Sequence, residues 1–155
     1  MAKLITTADF AQLSDKARAS ERGRTNLNWH PTPEAAVQRL FLAFEPNTYI
    51  RPHRHPQPHK WELFVLLQGE LEQLLFDDNG TVIQRQRLAA DGVRAVEIPS
   101  NTWHSYICLQ PGSIALEIKE GAYIPADSAD FAPWSPAEGS AEVARFLHEL
   151  CSGHR

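Results

Sequence analysis

The sequence predicts a mostly β chain: an antiparallel β-sandwich or barrel of jelly-roll type, with a short N-terminal helix and a C-terminal extension ending in a helix. Three observations carry this. Between residues 37 and 120, short runs of strand-type residues recur, each bounded by Gly, Pro, Asn or Asp turn signals. Two histidines stand two residues apart in one hairpin and a third follows far along the chain, which selects a jelly roll among the β architectures. The flanking segments read as helical or Pro-rich rather than strand-like.

The elements follow in order. Residues 8–20 place apolar side chains at 8, 10, 11, 13, 17 and 19, the spacing of a short amphipathic helix, with Thr7 as its N-cap. Residues 21–34 are polar, hold two prolines and read as an ordered loop. Val37–Phe44 is a strand that ends at Glu45-Pro-Asn-Thr. Tyr49–His55 and Trp61–Leu67 are strands on either side of a proline-rich histidine loop. Gln68-Gly69 leads into Glu70–Phe76, and Asp77-Asp-Asn-Gly80 turns the chain into Thr81–Leu88. Val93–Pro99, His104–Gln110 and Ile114–Glu120 complete about eight strands. Residues 124–138 are Pro- and Asp-rich wrapping, and 139–150 suit a terminal helix. One domain over 1–155 is expected: helix and loop to 34, jelly roll over 35–122, wrap and helix from 123.

Bulk properties bound the function. At 155 residues and 43% hydrophobic, the chain can bury a proper core. A net charge of −4 offers no basic field to nucleic acid. No apolar run is long enough for a membrane span, and the N-terminus does not read as a signal peptide. Two cysteines, Cys108 and Cys151, lack any C-x-x-C pairing, so free thiols in a reducing cytoplasm are expected.

His53, His55, Glu62 and His104 carry the chemistry. In a strand, side chains at i and i+2 share a face with Cα atoms roughly 6.5 Å apart, so His53 and His55 project together and Arg54 points away. Glu62 opens the apolar run Trp61-Glu-Leu-Phe-Val-Leu-Leu67, where a lone carboxylate is costly unless paired or ligated. Three imidazoles and a carboxylate suit one divalent transition metal such as Fe, Mn, Zn or Ni. A polar connector on a solvated loop is the bland reading of the same histidines.

These residues resemble the two cupin motifs. His53, His55, Glu62 and Gly69 match the first, with six residues between Glu62 and Gly69, and Gly92, Pro99 and His104 match the second. The chain departs from the pattern in several places. The His55–Glu62 interval is longer, which keeps His59 open as an alternative to Glu62. Asn47 stands for the first glycine, Gly92 to Pro99 is one residue longer, Asn101 replaces a turn glycine and Cys108 the final asparagine. Asparagine tolerates the left-handed conformation that such turns need. The blocks Pro-His-Arg-His, Lys-Trp-Glu-Leu-Phe-Val-Leu-Leu, Phe-Asp-Asp-Asn-Gly, Ala-Val-Glu-Ile-Pro and Lys-Glu-Gly-Ala-Tyr together resemble the WbuC family of cupin-fold metalloproteins. That resemblance implies a metal site, a surface-polysaccharide context and, as a cupin expectation, a homodimer.

Inside such a barrel, the inward strand positions form the ligand wall. Glu117 and Lys119 alternate with Leu116 and Ile118, so both face the cavity or both lie on the solvated outer face. Asn26, Asn28 and His30 form an alternating polar set that either covers the pocket mouth or caps its own loop. Tyr123 is a further ligand-contact candidate. Arg51 and Arg54 suit an anion or plain solvation, and Trp61 and Trp103 suit packing. The expected function is action on a small oxygen-rich ligand, a sugar or sugar-derived acid. The metal would serve as Lewis acid while Glu117 or His30 moves a proton, giving an isomerase, epimerase or lyase. An iron-dependent dioxygenase and a non-catalytic, metal-loaded sugar-binding module are the alternatives.

Overall fold

The computed structural model describes residues 1–153 and contains two antiparallel sheets facing each other. The strands are β1 (Arg24–Asn28), β2 (Val37–Phe44), β3 (Glu62–Gln68), β4 (Leu71–Phe76), β5 (Val82–Leu88), β6 (Ala95–Ile98), β7 (His104–Cys108) and β8 (Ser113–Glu120). They form a five-stranded sheet ordered β1-β2-β8-β3-β6 and a three-stranded sheet ordered β5-β4-β7. Helix α1 (Thr7–Ala19) precedes them and helix α2 (Val143–Cys151) follows.

Register fixes which side chains point inward. Across the large sheet, Asn26–Leu42–Ala115–Leu66 form one row, Asn28–Leu40–Glu117–Phe64–Val96 the next, and Gln38–Lys119–Glu62–Ile98 the last. The first rows meet Leu71, Leu88 and Cys108 in an apolar cluster. The alternate positions Phe41, Ala43 and Ile114 face outward, where α1 covers them with Leu13 and Ala17. On the small sheet, Leu74, Phe76 and Ile107 face outward beneath Phe146 and Leu150 of α2. Each fully buried leucine of this kind contributes about 1.5–3 kcal/mol through area removed from water.

Local signals explain the element ends. The N-cap is Thr6, one residue earlier than the sequence suggested. Its hydroxyl accepts from the Asp9 N–H, and the Asp9 carboxylate accepts from the Thr6 N–H, a capping box that Thr7 cannot form. Gly69 ends β3 at φ 79, and a Cβ there would collide with Ser113, so the turn admits only glycine.

Two expectations need correction. Residues 21–34 are not all loop: Arg24–Asn28 pairs with β2 along its length, so the sandwich begins before residue 35. Tyr49–His55 is not a strand: Pro52 at its centre has no N–H to give to a ladder, and prolines 46, 56 and 58 flank it. Only an isolated bridge remains, in which His53 meets both His104 and Phe131. The other expected strands are present with ends shifted by at most two residues, and the terminal helix starts at Val143 rather than 139.

Candidate metal centre

Three stretches of chain bring the histidine cluster together. The extended segment 52–55 supplies His53 and His55, β3 begins with Glu62, and β7 begins with His104. His53 N–H donates to the His104 carbonyl at 3.1 Å and His104 N–H returns a bond at 2.9 Å, which locks the two backbones side by side. Asn101, at φ 59, makes the left-handed turn before β7 and donates its N–H to the His55 carbonyl at 2.7 Å. The asparagine that replaces the turn glycine thus also holds the second histidine.

One donor atom from each of His53, His55, Glu62 and His104 lies within 4.8 Å of the others. Metal–ligand bonds of about 2.0–2.2 Å separate donor atoms by roughly 3–4.4 Å, so modest contraction suffices. The Nδ1 atoms of His53 and His104 lie 2.9 and 2.8 Å from the carbonyls of Arg51 and Thr102. A carbonyl only accepts, so Nδ1 carries the proton and the Nε2 lone pair faces the cluster. His55 Nε2, Glu62 Oε2 and His104 Nε2 are buried without a hydrogen-bond partner. Glu62 Oε2 stands 3.4 Å from His55 Nε2 and 3.6 Å from His104 Nε2, contacts too loose to satisfy them. Orphaned donors converging on one point are what a bound cation would satisfy, and the residues fit one.

The electrostatics of Glu62 and His53 point the same way. Burial alone would raise the Glu62 carboxyl, but the imidazoles of His104 and His55 and the Lys119 ammonium outweigh it and hold Glu62 well below the usual carboxylate range. Burial, then the neighbouring His104, pushes His53 well below the ordinary imidazole value. Both shifts favour the deprotonated forms that a cation needs. At His104, by contrast, burial is outweighed by Glu62, which raises the imidazole, so a cation entering the cluster competes with a proton there.

His59 is not part of the cluster. Residues 56–60, which lengthen the His55–Glu62 interval, form a turn closed by Lys60 N–H to the Gln57 carbonyl at 2.9 Å, and His59 lies outside against Gly121. Cys108 faces the apolar interior, its thiol donating to backbone carbonyls of Phe44 and Gln110. Trp103 is buried, with Nε1 donating to Asp78, and the Arg54 guanidinium lies over its ring at 4.2 Å. Arg51 is not a free cation: it donates to Ser135 and to the Ala132 carbonyl, tying the C-terminal wrap to the histidine segment.

The cluster opens into a cavity of about 570 Å³. His30, Asn26, Asn28, Lys119 and Tyr123 all line it, together with His53 and His55. Asn26 donates to Asn28 Oδ1 at 2.7 Å, and His30 is fixed through Nδ1 against the Arg39 backbone at 3.0 Å. Glu117 and Lys119 face inward as an ion pair at 2.6 Å, beside Glu62 in the sheet register, but only Lys119 lines the cavity. Burial and then the Glu62 charge raise the Glu117 carboxyl, while Glu117 and Glu62 together overcome burial and keep Lys119 protonated.

Two residues escaped sequence reasoning. Tyr106 donates its hydroxyl to Glu62 Oε1 at 3.2 Å, leaving Oε2 toward the histidines, and its ring stacks on Phe64 at 4.0 Å. Its signal was available, since Tyr106 stands two residues after His104 on the same strand face. Lys60 is buried at 6% exposure, which nothing in its local sequence announces. Its ammonium is pushed below its ordinary range by burial and by the charge of Lys119.

A double-sheet β-roll with three histidines and a glutamate at one end defines a protein of cupin fold, and comparisons with known proteins agree. The sequence profile described as "Domain of unknown function (DUF6016)" matches residues 5–88, more than half of the chain, and the chain belongs to that family. No curated protein matches it. Among solved structures, KdgF from Halomonas sp. is similar at 20% identity and TM-score 0.54, covering 66% of this chain and 84% of that one. An oxalate oxidase in complex with the substrate analogue glycolate is similar at 16% identity and TM-score 0.53, over 70% of this chain and 55% of its own. An oxalate decarboxylase variant from Bacillus subtilis matches at 14% identity and TM-score 0.51, over 71% of this chain and 28% of its own. At these identities the likeness carries the fold. Among the described residues, no helix is long and apolar enough to cross a membrane.

Proposed function

We propose that this protein binds one divalent transition metal at His53, His55, Glu62 and His104 and acts on a small oxygen-rich ligand in the adjoining cavity. The carrying observation is the set of three buried, unpartnered donor atoms converging within one cluster at the cavity wall. A bound metal would act there as a Lewis acid toward a ligand oxygen. Tyr106 would hold Glu62 in its ligating orientation, and the Nδ1 bonds of His53 and His104 would hold their rings. Lys119, kept charged by Glu117, would steady negative charge gathering on the ligand. His30, whose Nδ1 is anchored and whose ring borders the cavity, is the better placed of the two candidate bases; Glu117 stands behind Lys119. Isomerisation, epimerisation or elimination would follow from such proton movement. The sugar-acid setting draws on the WbuC-like blocks in residues 49–123 and on the hydroxy acid glycolate held by the similar oxalate oxidase.

The test is the metal content of protein purified without added metal, by plasma mass spectrometry, beside a His55→Ala variant. About one Fe, Mn, Ni or Zn per chain is expected, with loss in the variant. No metal in either, even after reconstitution, would overturn the reading.

A further inference from the structure

The turn that lengthens the His55–Glu62 interval brings one more charge into the cavity. Lys60 is 6% exposed, lines the cavity, and donates its Nζ to the Ala122 carbonyl at 2.7 Å. Among the described residues it has no carboxylate ion-pair partner, and the charge beside it is the like charge of Lys119. The rest of the wall does not compensate. Arg22, Arg24, Arg51, Arg54, Lys60 and Lys119 line the cavity against two acids, Asp130 and Glu138. Glu138 is already held by Arg22 at 2.7 Å and Arg24 at 2.9 Å. Arg54 has no ion-pair partner among the described residues, and its Nε is buried without an acceptor.

A cation withdrawn from water with one neutral acceptor is costly, and a counter-charge supplied by a ligand removes that cost. A carbonyl bond uses one of the three donors of an ammonium, leaving two to reach into the cavity. We propose that Lys60 anchors a carboxylate of the ligand, so that the cavity takes a sugar acid or a similar hydroxy acid rather than a neutral sugar. The choice of ligand class rests on the metal-dependent reading above; the anchor itself does not.

Equilibrium titration of the full chain, metal-loaded and chelator-treated, with galacturonate, galactose and malonate tests this. Galacturonate is expected to bind about tenfold or more tighter than galactose, as one charge-assisted hydrogen bond allows. Lys60→Met should abolish that preference and Lys60→Arg should keep it. If Lys60→Met does not fold, Lys60→Gln, which still donates to the Ala122 carbonyl, takes its place. Equal affinity for acid and neutral sugar, no binding of either acid, or an undiminished preference in the neutral variant would each overturn the anchor. Metal analysis of the same samples separates the two ideas. A Lys60-dependent acid preference in protein that takes up no metal even on reconstitution sustains the anchor and defeats the metal reading. Bound metal with no acid preference defeats the anchor alone.

Discussion

The two ends of the sandwich interior are built from the same strands with opposite chemistry. At one end the inward rows are Leu42, Ala115 and Leu66, meeting Leu71, Leu88 and Cys108. Two pleats further on, the same strands present Gln38, Lys119 and Glu62, meeting His104. Between them lies the stacked pair Phe64 and Tyr106, apolar toward one side and carrying a hydroxyl to Glu62 on the other. Period-two alternation therefore decides only which face is inside. What the inside does is decided by position along each strand, and the apolar end can stabilise the fold while the polar end holds unsatisfied groups.

If that division is real, damage to one end should leave the other working. The largest effect is expected from Leu71→Ala at the apolar end, where the side chain is fully buried. Thermal or denaturant unfolding should show a loss of about 2–5 kcal/mol, while the folded fraction keeps its metal stoichiometry. Loss of metal from protein that remains folded would break the division.

Tyr106→Phe sits on the boundary and sharpens it. Removing the hydroxyl frees Glu62 Oε1 while the ring stack on Phe64 survives. Metal affinity should fall about 10–100-fold in a competition titration, with a loss of about 1–3 kcal/mol in metal-free stability from the unpaired Glu62 oxygen. A variant that melts much earlier and binds metal normally would assign Tyr106 to the apolar end instead.

The smallest effect is a pH response of the metal-free protein. His53 has a folded value well below its unfolded one, so the unfolded chain binds more protons in that window. Stability should therefore decline as pH falls below about 6.5, the unperturbed imidazole value. His104 is shifted upward, so its contribution is present below that pH and is lost above it, in a separate window. Urea unfolding of His53→Gln between pH 7 and 5 should show a shallower decline than the parent; equal slopes would assign the acid sensitivity elsewhere.

The cluster was legible because His53, His55 and His104 sit at spacings that few other uses require, and Glu62 interrupts an apolar run. Strand β1 was not, because its inward residues Asn26 and Asn28 face a cavity rather than a core, so the alternation that reveals a strand is missing. Segment 49–55 misled in the opposite sense: its side chains alternate like a strand, but Pro52 withholds a ladder donor at its centre. Which face Glu117 and Lys119 share could not be read from alternation alone, since it permits two answers, and pairing with Leu40 and Gln38 chose the inner one. Lys60 left no trace, because its burial depends on a turn whose only sequence sign is extra length.

The histidine segment borrows its order from two distant stretches of chain. Its backbone bonds run to His104 on one side, and on the other from Arg54 N–H to the Asp130 carbonyl at 2.9 Å and from Ala132 N–H to the Pro52 carbonyl at 2.9 Å. The bonds that order the histidine segment therefore draw on chain as far as residue 132. The sandwich strands are complete by residue 120. Part of the order of the histidine segment thus comes from chain beyond the last sheet strand, so loosening residues 130–132 would disturb the cluster while leaving every strand pairing in place.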